Sequence, residues 1–222
     1  MSYIQQLKMS HRCLWEKTVT HPFVLEMGEG TLPEQKFITY FAQDYVFIKD
    51  LVTMTALGIS KAPSMEAASI LSDFLAGIID PENDLFVRTF KELGVNENEY
   101  STVSASPTTQ AFGDFIVRVA LEGSFEDVAT ILYVTEGTYL DWGTRLLQNP
   151  NRRVINNVYQ EWINLHGPNV LGDFVDWLDR YLAEIDLSKV IVRTEYLFLT
   201  ALRYEYMFWQ AAYKGQQWLE GE

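Results

Sequence analysis

Residues 31–60, with the sequence TLPEQKFITYFAQDYVFIKDLVTMTALGIS, predict one long and mostly apolar helix. Thr31 to Glu34 match a capping-box pattern with an early proline, so the helix is expected to begin there. Side chains three and four residues apart then form a single stripe, which contains Phe37, Tyr40, Asp44, Phe47 and Leu51. This spacing is typical of a helix that packs one face into a core.

Helical periodicity continues along almost the whole chain, whereas strand-like alternation and hairpin dipeptides are essentially missing. His21-Pro22 is expected to break the first helix, because the residue before proline is pushed out of the α region. The polar stretch from Val95 to Thr108 is expected to be the main loop. Further helices are predicted for residues 3–20, 65–79, 80–94, 109–121, 125–147, 151–165, 172–185 and 187–218. The sequence therefore predicts an all-α fold, a helical bundle that forms a single domain over residues 1–222.

The composition of the chain excludes some classes of protein. Its 222 residues are 48% hydrophobic and 14% aromatic, which excludes a disordered protein. The 17 basic and 30 acidic residues give a formal net charge of −13. This charge repels phosphate backbones, and no segment concentrates Lys and Arg into a stripe that could offset it. Nucleic-acid binding is therefore not expected.

The features that indicate a cellular compartment favour the cytoplasm. Cys13 is the only cysteine, so an intrachain disulfide is impossible and an oxidising compartment is not indicated. We expect Cys13 to be a small core residue of the first helix. Residues 1–17 lack the apolar core of a signal peptide, and no uncharged apolar run approaches the length of a membrane span.

Two acidic residues occupy apolar faces of predicted helices. Asp44 lies within the aromatic stripe already described, and Glu205 shares a stripe with Ala201, Phe208 and Ala212. An unpaired buried carboxylate is costly, so each acid needs a partner, a proton or a ligand. Periodicity leaves two interpretations open. Each acid bonds a tyrosine, an arginine or a backbone amide inside the core, or both acids face one cavity.

The predicted helix after Phe125 has an unusual face. It projects the polar groups of Thr135, Thr138, Tyr139 and Trp142. Gly137 lowers the helix propensity of this segment by about 1 kcal/mol relative to alanine. A glycine there leaves room for a ligand or for close helix packing, of which packing is the commoner reason.

Four blocks of sequence resemble the thiaminase II (TenA-like) family, in order and over nearly the whole chain. The first is the most specific and combines His21-Pro22-Phe23 with Gly30-x-Leu32, Phe37-x-x-Tyr40 and Gln43-Asp44. The other three are Tyr139-x-Asp141-x-Gly143, Trp162-Ile163 and Tyr204-Glu205-x-x-Phe208-Trp209.

The resemblance implies a haem-oxygenase-like helical fold, a homotetramer and a role in thiamin salvage. We expect no cofactor and no metal. Members hydrolyse thiamin or its degradation product aminomethylpyrimidine to hydroxymethylpyrimidine. By resemblance, Asp44 would bind the aminopyrimidine edge, Tyr139 would touch the ring and Glu205 would protonate a ring nitrogen. The implied substrate-binding set is completed by Phe47, Phe112, His166 and Phe208, whose aromatic rings suit a flat heterocycle.

The sequence departs from the best-known branch of the family at its nucleophile. The cysteine of that branch falls on Thr135 here, and the proline before it falls on Val134. A threonine hydroxyl is a poor nucleophile without an adjacent base, so covalent attack on the ring is not expected. The chain is more similar to the branch that lacks this cysteine and relies on carboxylates, where activity leans toward amino- or formylaminopyrimidine hydrolysis.

Other departures leave alternative functions open. Phe47 and Phe112 stand where tyrosines often occur, and His166 stands near a third such position. Glu136 is a candidate extra carboxylate, but it points about 100° away from Thr135 on an ideal helix, so we expect it to be solvated. One alternative is a protein that binds an aminopyrimidine without hydrolysing it. A di-metal oxygenase is disfavoured, because no histidine follows a glutamate by three residues. A haem oxygenase is disfavoured, because the histidines of the first helix fit structural roles better than haem ligation.

Overall fold

The computed structural model describes residues 2–149, 156–185 and 191–219. These residues form helices and connecting turns, without a strand among them. The helices are α1 (Tyr3–Ser10), α2 (Arg12–Val19), α3 (Pro22–Glu29), α4 (Glu34–Ser60), α5 (Met65–Gly77), α6 (Asn83–Glu92), α7 (Glu97–Tyr100), α8 (Pro107–Glu122), α9 (Phe125–Gln148), α10 (Asn157–Leu165), α11 (Pro168–Glu184) and α12 (Ile191–Lys214). A π-helical turn, Ile78–Glu82, joins α5 to α6. The all-α prediction is confirmed, and the predicted starts at Asn151 and Leu187 lie outside the described residues.

The prediction of a single helix over residues 3–20 is wrong in one respect, but its predicted end is confirmed. The helix expected over residues 3–20 is divided at His11 into α1 and α2. His21 caps α3, because its Nδ1 accepts a hydrogen bond from the backbone N–H of Phe23 at 3.1 Å. The expected break at His21-Pro22 is therefore confirmed, with proline in the first turn of the next helix.

The predicted capping box before α4 is also wrong. The N-cap of α4 is Pro33, which has no side chain able to cap. Thr31 instead belongs to the end of α3, where its backbone N–H donates to the Glu26 carbonyl at 2.8 Å. Gly30 permits this ending because its φ is 70°, a left-handed conformation that glycine adopts without a steric penalty.

The loop expected between Val95 and Thr108 contains one short helix, α7. Its capping box is complete: the Asn96 side chain accepts from the backbone N–H of Glu99 at 3.2 Å, and the Glu99 carboxylate accepts from the Asn96 N–H at 2.9 Å. The reciprocal pair stabilises a turn that has no buried residue of its own.

The chain divides into two compact units, each described by itself. The first contains Met1–Leu32 and Glu126–Tyr206. Within it, α1 packs against α11, and α10 packs against α3 and α11. Its core holds the indole rings of Trp15, Trp142 and Trp162, all almost fully buried. The Trp15 indole donates to Asp141 Oδ2 at 2.7 Å, which ties α2 to α9.

The second unit contains Pro33–Phe125 and Met207–Glu222. Its central element is α4, which packs against α5 and α8. The ammonium of Lys61, just after α4, donates to the carbonyls of Ala120, Leu121 and Gly123 at 2.5, 3.0 and 2.7 Å. A cation at this place donates to carbonyls that have no partner within the helix. It also interacts favourably with the negative end of the α8 dipole.

Two further features bear on the predictions from sequence. Cys13 is exposed, so its expected burial in the core is wrong. It lies on α2, whose buried face is formed by Trp15, Thr18 and Val19.

Within the described ranges, no helix combines the length and the apolar character that crossing a membrane requires.

Candidate active site

Asp44 is a buried acid in the middle of α4, with only 6% of its surface exposed. The Tyr40 hydroxyl, one helical turn earlier, donates to Asp44 Oδ2 at 3.3 Å. Burial raises the pKa of Asp44 to about 7, and the bond from Tyr40 acts in the opposite direction. A carboxyl with this pKa exchanges its proton near neutral pH. The tyrosine partner that periodicity left open is therefore observed, but it offsets only part of the desolvation.

Aromatic rings from three helices pack together beside the stripe of α4 that contains Asp44. Phe47 of α4 lies with its ring centroid 4.7 Å from that of Phe112 on α8 and 5.7 Å from that of Phe208 on α12. Tyr40 lies 6.0 Å from Phe208 by the same measure. The structure therefore brings four predicted site residues together in the second unit: Asp44, Phe47, Phe112 and Phe208.

The residue before Asp44 holds α8 in place. The Gln43 amide oxygen accepts from the Ser106 backbone N–H at 2.8 Å and from the Thr109 hydroxyl at 2.6 Å. The Gln43 amide nitrogen donates to the Ser104 carbonyl at 3.0 Å. One side chain thus fixes the first turn of α8, the helix that carries Phe112. In the sequence Gln43 is only part of a motif, and no pattern there predicts this positioning role.

Thr135 and Glu136 lie on α9 in the first unit, and both are buried. The Thr135 hydroxyl lies 3.1 Å from Glu136 Oε1 and 3.3 Å from the Leu132 carbonyl oxygen. Glu136 is only 9% exposed, so the expectation that it is solvated is wrong. The reason is that every residue from Asp127 to Thr138 is buried, which leaves this part of α9 without a face toward water.

Tyr139, one turn after Thr135, contacts His166 at the end of α10. Their ring centroids lie 4.7 Å apart, and Trp162 lies 4.4 Å from His166. His166 Nδ1 donates to the Trp162 carbonyl at 2.8 Å, because a carbonyl oxygen can only accept. Burial lowers the pKa of His166 to about 3. The imidazole is therefore neutral at physiological pH, and its Nε2 is an acceptor.

Gly143 makes this contact between α9 and His166 possible. A Cβ atom at residue 143 would lie 2.3 Å from the carbonyl oxygen of His166 and 2.8 Å from its carbonyl carbon. These are backbone atoms, so a side chain cannot be accommodated by rotation of a neighbouring residue. Glycine is required here for close approach and not for an unusual φ.

Gly143→Ala is expected to lower the free energy of unfolding by about 1–3 kcal/mol, the usual range for overpacking a tight core. Urea denaturation followed by circular dichroism measures this change. Gly172→Ala is the matched control, because a Cβ there meets only Pro168 Cβ, at 3.8 Å. The control is expected to be neutral or slightly stabilising. Equal stability of the two variants would contradict the proposed steric role of Gly143.

Glu205 lies on α12 and is 3% exposed. It belongs to the first unit, as do Thr135, Tyr139 and His166, whereas Asp44 belongs to the second. The stripe predicted around it is confirmed as apolar and buried, and its other members are Ala201, Phe208 and Ala212. The predicted burial of both acids is therefore confirmed. The function of Glu205 stays a prediction.

Two other places in the first unit contain titratable side chains. His11 stacks on Phe198, with ring centroids 6.1 Å apart, and its Nε2 lies 3.6 Å from Glu195. A cleft of about 330 Å³ is lined by Trp15, Asp141 and Arg145, among others. Asp141 in this cleft already pairs with Lys8, Trp15 and Arg145. Among the described residues, no group of three His, Cys, Asp or Glu is placed to hold a metal ion.

Comparison with known proteins gives the family. A model of the TENA/THI-4/PQQC family matches residues 9–215. The chain belongs to this family. Members of the TENA/THI-4/PQQC family similar to this chain include two proteins named aminopyrimidine aminohydrolase. The one from Halalkalibacterium halodurans is 30% identical, over 98% of each chain. The one from Helicobacter pylori is 26% identical, over 97% of this chain and all of that protein.

Similar solved structures support the fold. A TenA homologue from P. horikoshii superimposes with a TM-score of 0.87 at 24% identity, over 97% of this chain and all of that one. A domain of unknown function from Shewanella denitrificans, described as having a heme oxygenase-like fold, gives a TM-score of 0.76 at 13% identity, over 95% and 92% of the two chains. The expected haem-oxygenase-like fold is therefore confirmed.

Proposed function

We propose that this protein is an aminopyrimidine hydrolase of thiamin salvage, which converts aminomethylpyrimidine or its N-formyl derivative to hydroxymethylpyrimidine. The observation that carries the proposal is Asp44, a buried carboxyl with a pKa of about 7 beside three phenylalanine and tyrosine rings. The reaction class comes from relatives that are 26–30% identical over almost their whole length and are named aminopyrimidine aminohydrolase.

Asp44 has the properties needed to bind the amino edge of the pyrimidine. Its ionised oxygens accept hydrogen bonds from an exocyclic amine, and its protonated form donates one to a ring nitrogen. Phe47, Phe112 and Phe208 offer faces on which a flat ring stacks. Tyr139 touches the ring, and the neutral His166 offers an acceptor nitrogen.

Glu205 is the acid of the reaction in this proposal. General acid catalysis by a carboxyl requires that it carries a proton when the pyrimidine binds, and this is the role proposed for Glu205. Proton transfer to a ring nitrogen draws electrons from the pyrimidine and makes it more open to nucleophilic attack, which leads to loss of the amine of the aminomethyl group. The proposal requires neither a metal ion nor a cofactor.

A second candidate is a protein that binds an aminopyrimidine without turning it over. The residue that favours it is Thr135, which stands in place of the cysteine of the best-known branch. Single-turnover incubation with aminomethylpyrimidine and with its N-formyl derivative separates the two functions. The hydrolase produces ammonia or formate together with the pyrimidine product. Tight binding without either product would leave the binding protein as the correct function.

The proposal extends to assembly and location. We expect a homotetramer in the cytoplasm, with a small pyrimidine as its partner and neither nucleic acid nor membrane as a ligand. Light scattering coupled to gel filtration measures the assembly. A mass of four 25.6 kDa chains is the expected result, and a monomer would contradict it.

A further inference from the structure

The cleft of the first unit lies on a different face of α9 from Thr135 and Tyr139. Its volume is about 330 Å³, and α1, α2 and α11 contribute the rest of its lining. Thr135 and Tyr139 are each two residues from a cleft residue of α9, which is about 200° around the helix. The cleft is therefore not the place where Tyr139 would touch a pyrimidine. Along α9 it follows a stripe with spacings of four, four and three residues: Tyr133, Gly137, Asp141 and Thr144.

Tyr133 brings a hydroxyl without a partner to the buried part of this cleft. The residue is 5% exposed, and its hydroxyl makes no hydrogen bond within the part of the chain that the structure describes. Its ring is held by Trp15 and Phe198, each 6.5 Å away between ring centroids. Burial raises the pKa of Tyr133 above its ordinary value, and the charges of Asp179 and Asp141 raise it further. The hydroxyl therefore keeps its proton at physiological pH and is a donor that lacks an acceptor.

Two carboxylates of α11 line the same cleft without a cation beside them. They belong to Asp176, which is exposed, and to Asp179, and neither forms an ion pair with a described residue. Asp179 Oδ2 accepts from the neutral Gln5 amide at 2.8 Å, whereas Asp179 Oδ1 is buried and has no partner among the described residues. A buried acceptor without a donor is costly, so it indicates a missing partner.

The two cations of the cleft are already paired with other acids. Arg145 donates to both carboxylate oxygens of Glu16, at 2.8 and 3.0 Å, and to Asp141. The Lys8 ammonium lies 3.5 Å from Asp141 Oδ2 and 4.1 Å from the centre of the Trp15 ring. The lining as a whole contains three aspartates against these two cations, a formal charge of −1. The cleft thus already accommodates one ammonium ion on an acidic and aromatic surface, and its charge attracts another.

Gly137 keeps the cleft open. A Cβ atom at residue 137 would lie 3.3 Å from Trp15 Cη2 and 3.9 Å from Val175 Cγ1, and both of these side chains line the cleft. The Trp15 indole is fixed by its bond to Asp141, so it does not move aside easily. The neighbours of Gly137 are side chains of the cleft, whereas those of Gly143 include a backbone carbonyl. A side chain at residue 137 would therefore occupy the space available to a ligand.

We propose that this cleft binds a small amino alcohol, whose ammonium group pairs with Asp179 and Asp176 and whose hydroxyl accepts a hydrogen bond from Tyr133. The ammonium supplies donors to the two carboxylates, and the hydroxyl oxygen supplies the acceptor that the tyrosine lacks. Leu140 and Val175 offer apolar contacts for a short alkyl group. The volume is near the lower end of small-molecule sites, which favours a small ligand. The inference goes beyond the proposed hydrolase function and does not depend on it.

Three related small molecules test the chemistry of the ligand by isothermal titration calorimetry. Leucinol carries an ammonium, a hydroxyl and a branched alkyl group, and it is expected to bind. In 4-methylpentane-1,2-diol a hydroxyl replaces the ammonium, and 3-methylbutylamine lacks the hydroxymethyl group. We expect the diol to bind at least roughly tenfold more weakly than leucinol, and the amine roughly three- to tenfold more weakly.

Two substitutions test the residues. Asp179→Asn is expected to weaken leucinol binding roughly ten- to hundredfold, because it removes a charged acceptor. Tyr133→Phe is expected to weaken leucinol binding roughly three- to tenfold and to leave 3-methylbutylamine binding unchanged, since that amine has no hydroxyl. Asp173→Asn is the matched control, because Asp173 is exposed on α11 and lies outside the lining of the cleft.

Lys8→Met distinguishes a cationic ligand from an anionic one. It removes a competing cation and frees Asp141, so leucinol binding is expected to become roughly two- to fivefold tighter. A ligand bound as an anion would show the opposite change. Weaker leucinol binding by this variant would therefore contradict the proposal.

A crystal structure of the wild-type protein with leucinol locates the ligand. We expect its nitrogen within about 3.2 Å of an Asp179 oxygen and its hydroxyl within hydrogen-bond distance of Tyr133. A water molecule alone between these two residues, or the absence of leucinol binding at millimolar concentration, would overturn the proposal. So would leucinol binding that Asp179→Asn and Tyr133→Phe both leave unchanged. Should Asp179→Asn fail to fold, Tyr133→Phe with leucinol and 3-methylbutylamine decides the matter.

The outcome is independent of the hydrolase function. Release of ammonia from aminomethylpyrimidine should be the same in wild type and in Tyr133→Phe, because residue 133 has no part in the proposed reaction. If wild type releases no ammonia and yet binds leucinol in the cleft, the hydrolase function is wrong and the amino alcohol site stands.

Discussion

Glu205→Gln is expected to lower kcat for aminomethylpyrimidine hydrolysis by roughly 10²–10⁴-fold, the range associated with loss of a general acid. Glutamine has nearly the same shape as glutamic acid, so the buried stripe around residue 205 stays filled. It cannot donate a proton with the acidity of a carboxyl, so the ring nitrogen is no longer protonated. The measurement is single-turnover release of ammonia or formate, with the pyrimidine product quantified in parallel.

The control for this variant lies on the same helix. Glu195→Gln removes a carboxyl from α12 whose side chain is 50% exposed, and hydrolysis should be unaffected. Circular dichroism and urea unfolding establish that both variants are folded. Glu205→Gln with wild-type turnover would exclude Glu205 as the acid. Loss of the unfolding transition would show instead that residue 205 is needed for the fold.

Asp44→Asn is expected to change stability and binding in opposite directions. The folded protein holds the pKa of Asp44 at about 7, against 3.8 for an ordinary aspartate, so folding favours the protonated form. Between these two values the folded state binds more protons than the unfolded state, and stability falls as pH rises. The penalty is complete above about pH 7. It amounts to about three pKa units, or about 4 kcal/mol.

Asparagine has no charge to desolvate, so it removes this penalty. At about pH 8 we expect Asp44→Asn to be more stable than wild type by up to about 4 kcal/mol, with the difference vanishing near pH 4. Urea denaturation at several pH values measures it. Asp73→Asn, an exposed site on α5, is the control and should show no such trend. A stability gain that does not change with pH would contradict the burial argument.

The same substitution is expected to weaken pyrimidine binding. Loss of a charge-assisted hydrogen bond costs about 1.5–3 kcal/mol, or roughly ten- to hundredfold in Kd. Isothermal titration calorimetry with aminomethylpyrimidine measures it near neutral pH. Unchanged affinity would exclude Asp44 from the binding site. A variant that is both more stable and less able to bind is the pattern expected of a residue kept for function at the expense of stability.

The burial of the two acids was predictable from sequence because it follows from spacing alone. Asp44 and Glu205 each lie three or four residues from apolar side chains, and such neighbours share a helix face. Both acids are buried in the structure, at 6% and 3% exposure. What spacing does not contain is the partner. Tyr40, which bonds Asp44, was only one of the partners that the pattern left open.

The burial of Glu136 could not be predicted in the same way. A residue that points away from its helix's buried face is solvated only if the helix has a face toward water, and α9 has none from Asp127 to Thr138. Which helices cover a segment on all sides is decided by tertiary packing. For Cys13 the error was the reverse, since the residue lies on the exposed face of a short helix. The capping box predicted at Thr31 was wrong because α3 ends at the left-handed Gly30, and the backbone N–H of Thr31 bonds to Glu26 at this end of α3.

The most direct test of the central claim, that Asp44 and Glu205 act on one pyrimidine, is a crystal structure of the Glu205→Gln protein with aminomethylpyrimidine bound. We predict that the side chains of residues 44 and 205 both lie within about 3.2 Å of nitrogen atoms of the same pyrimidine. A pyrimidine that contacts only one of these residues, or that binds elsewhere on the chain, would contradict the account.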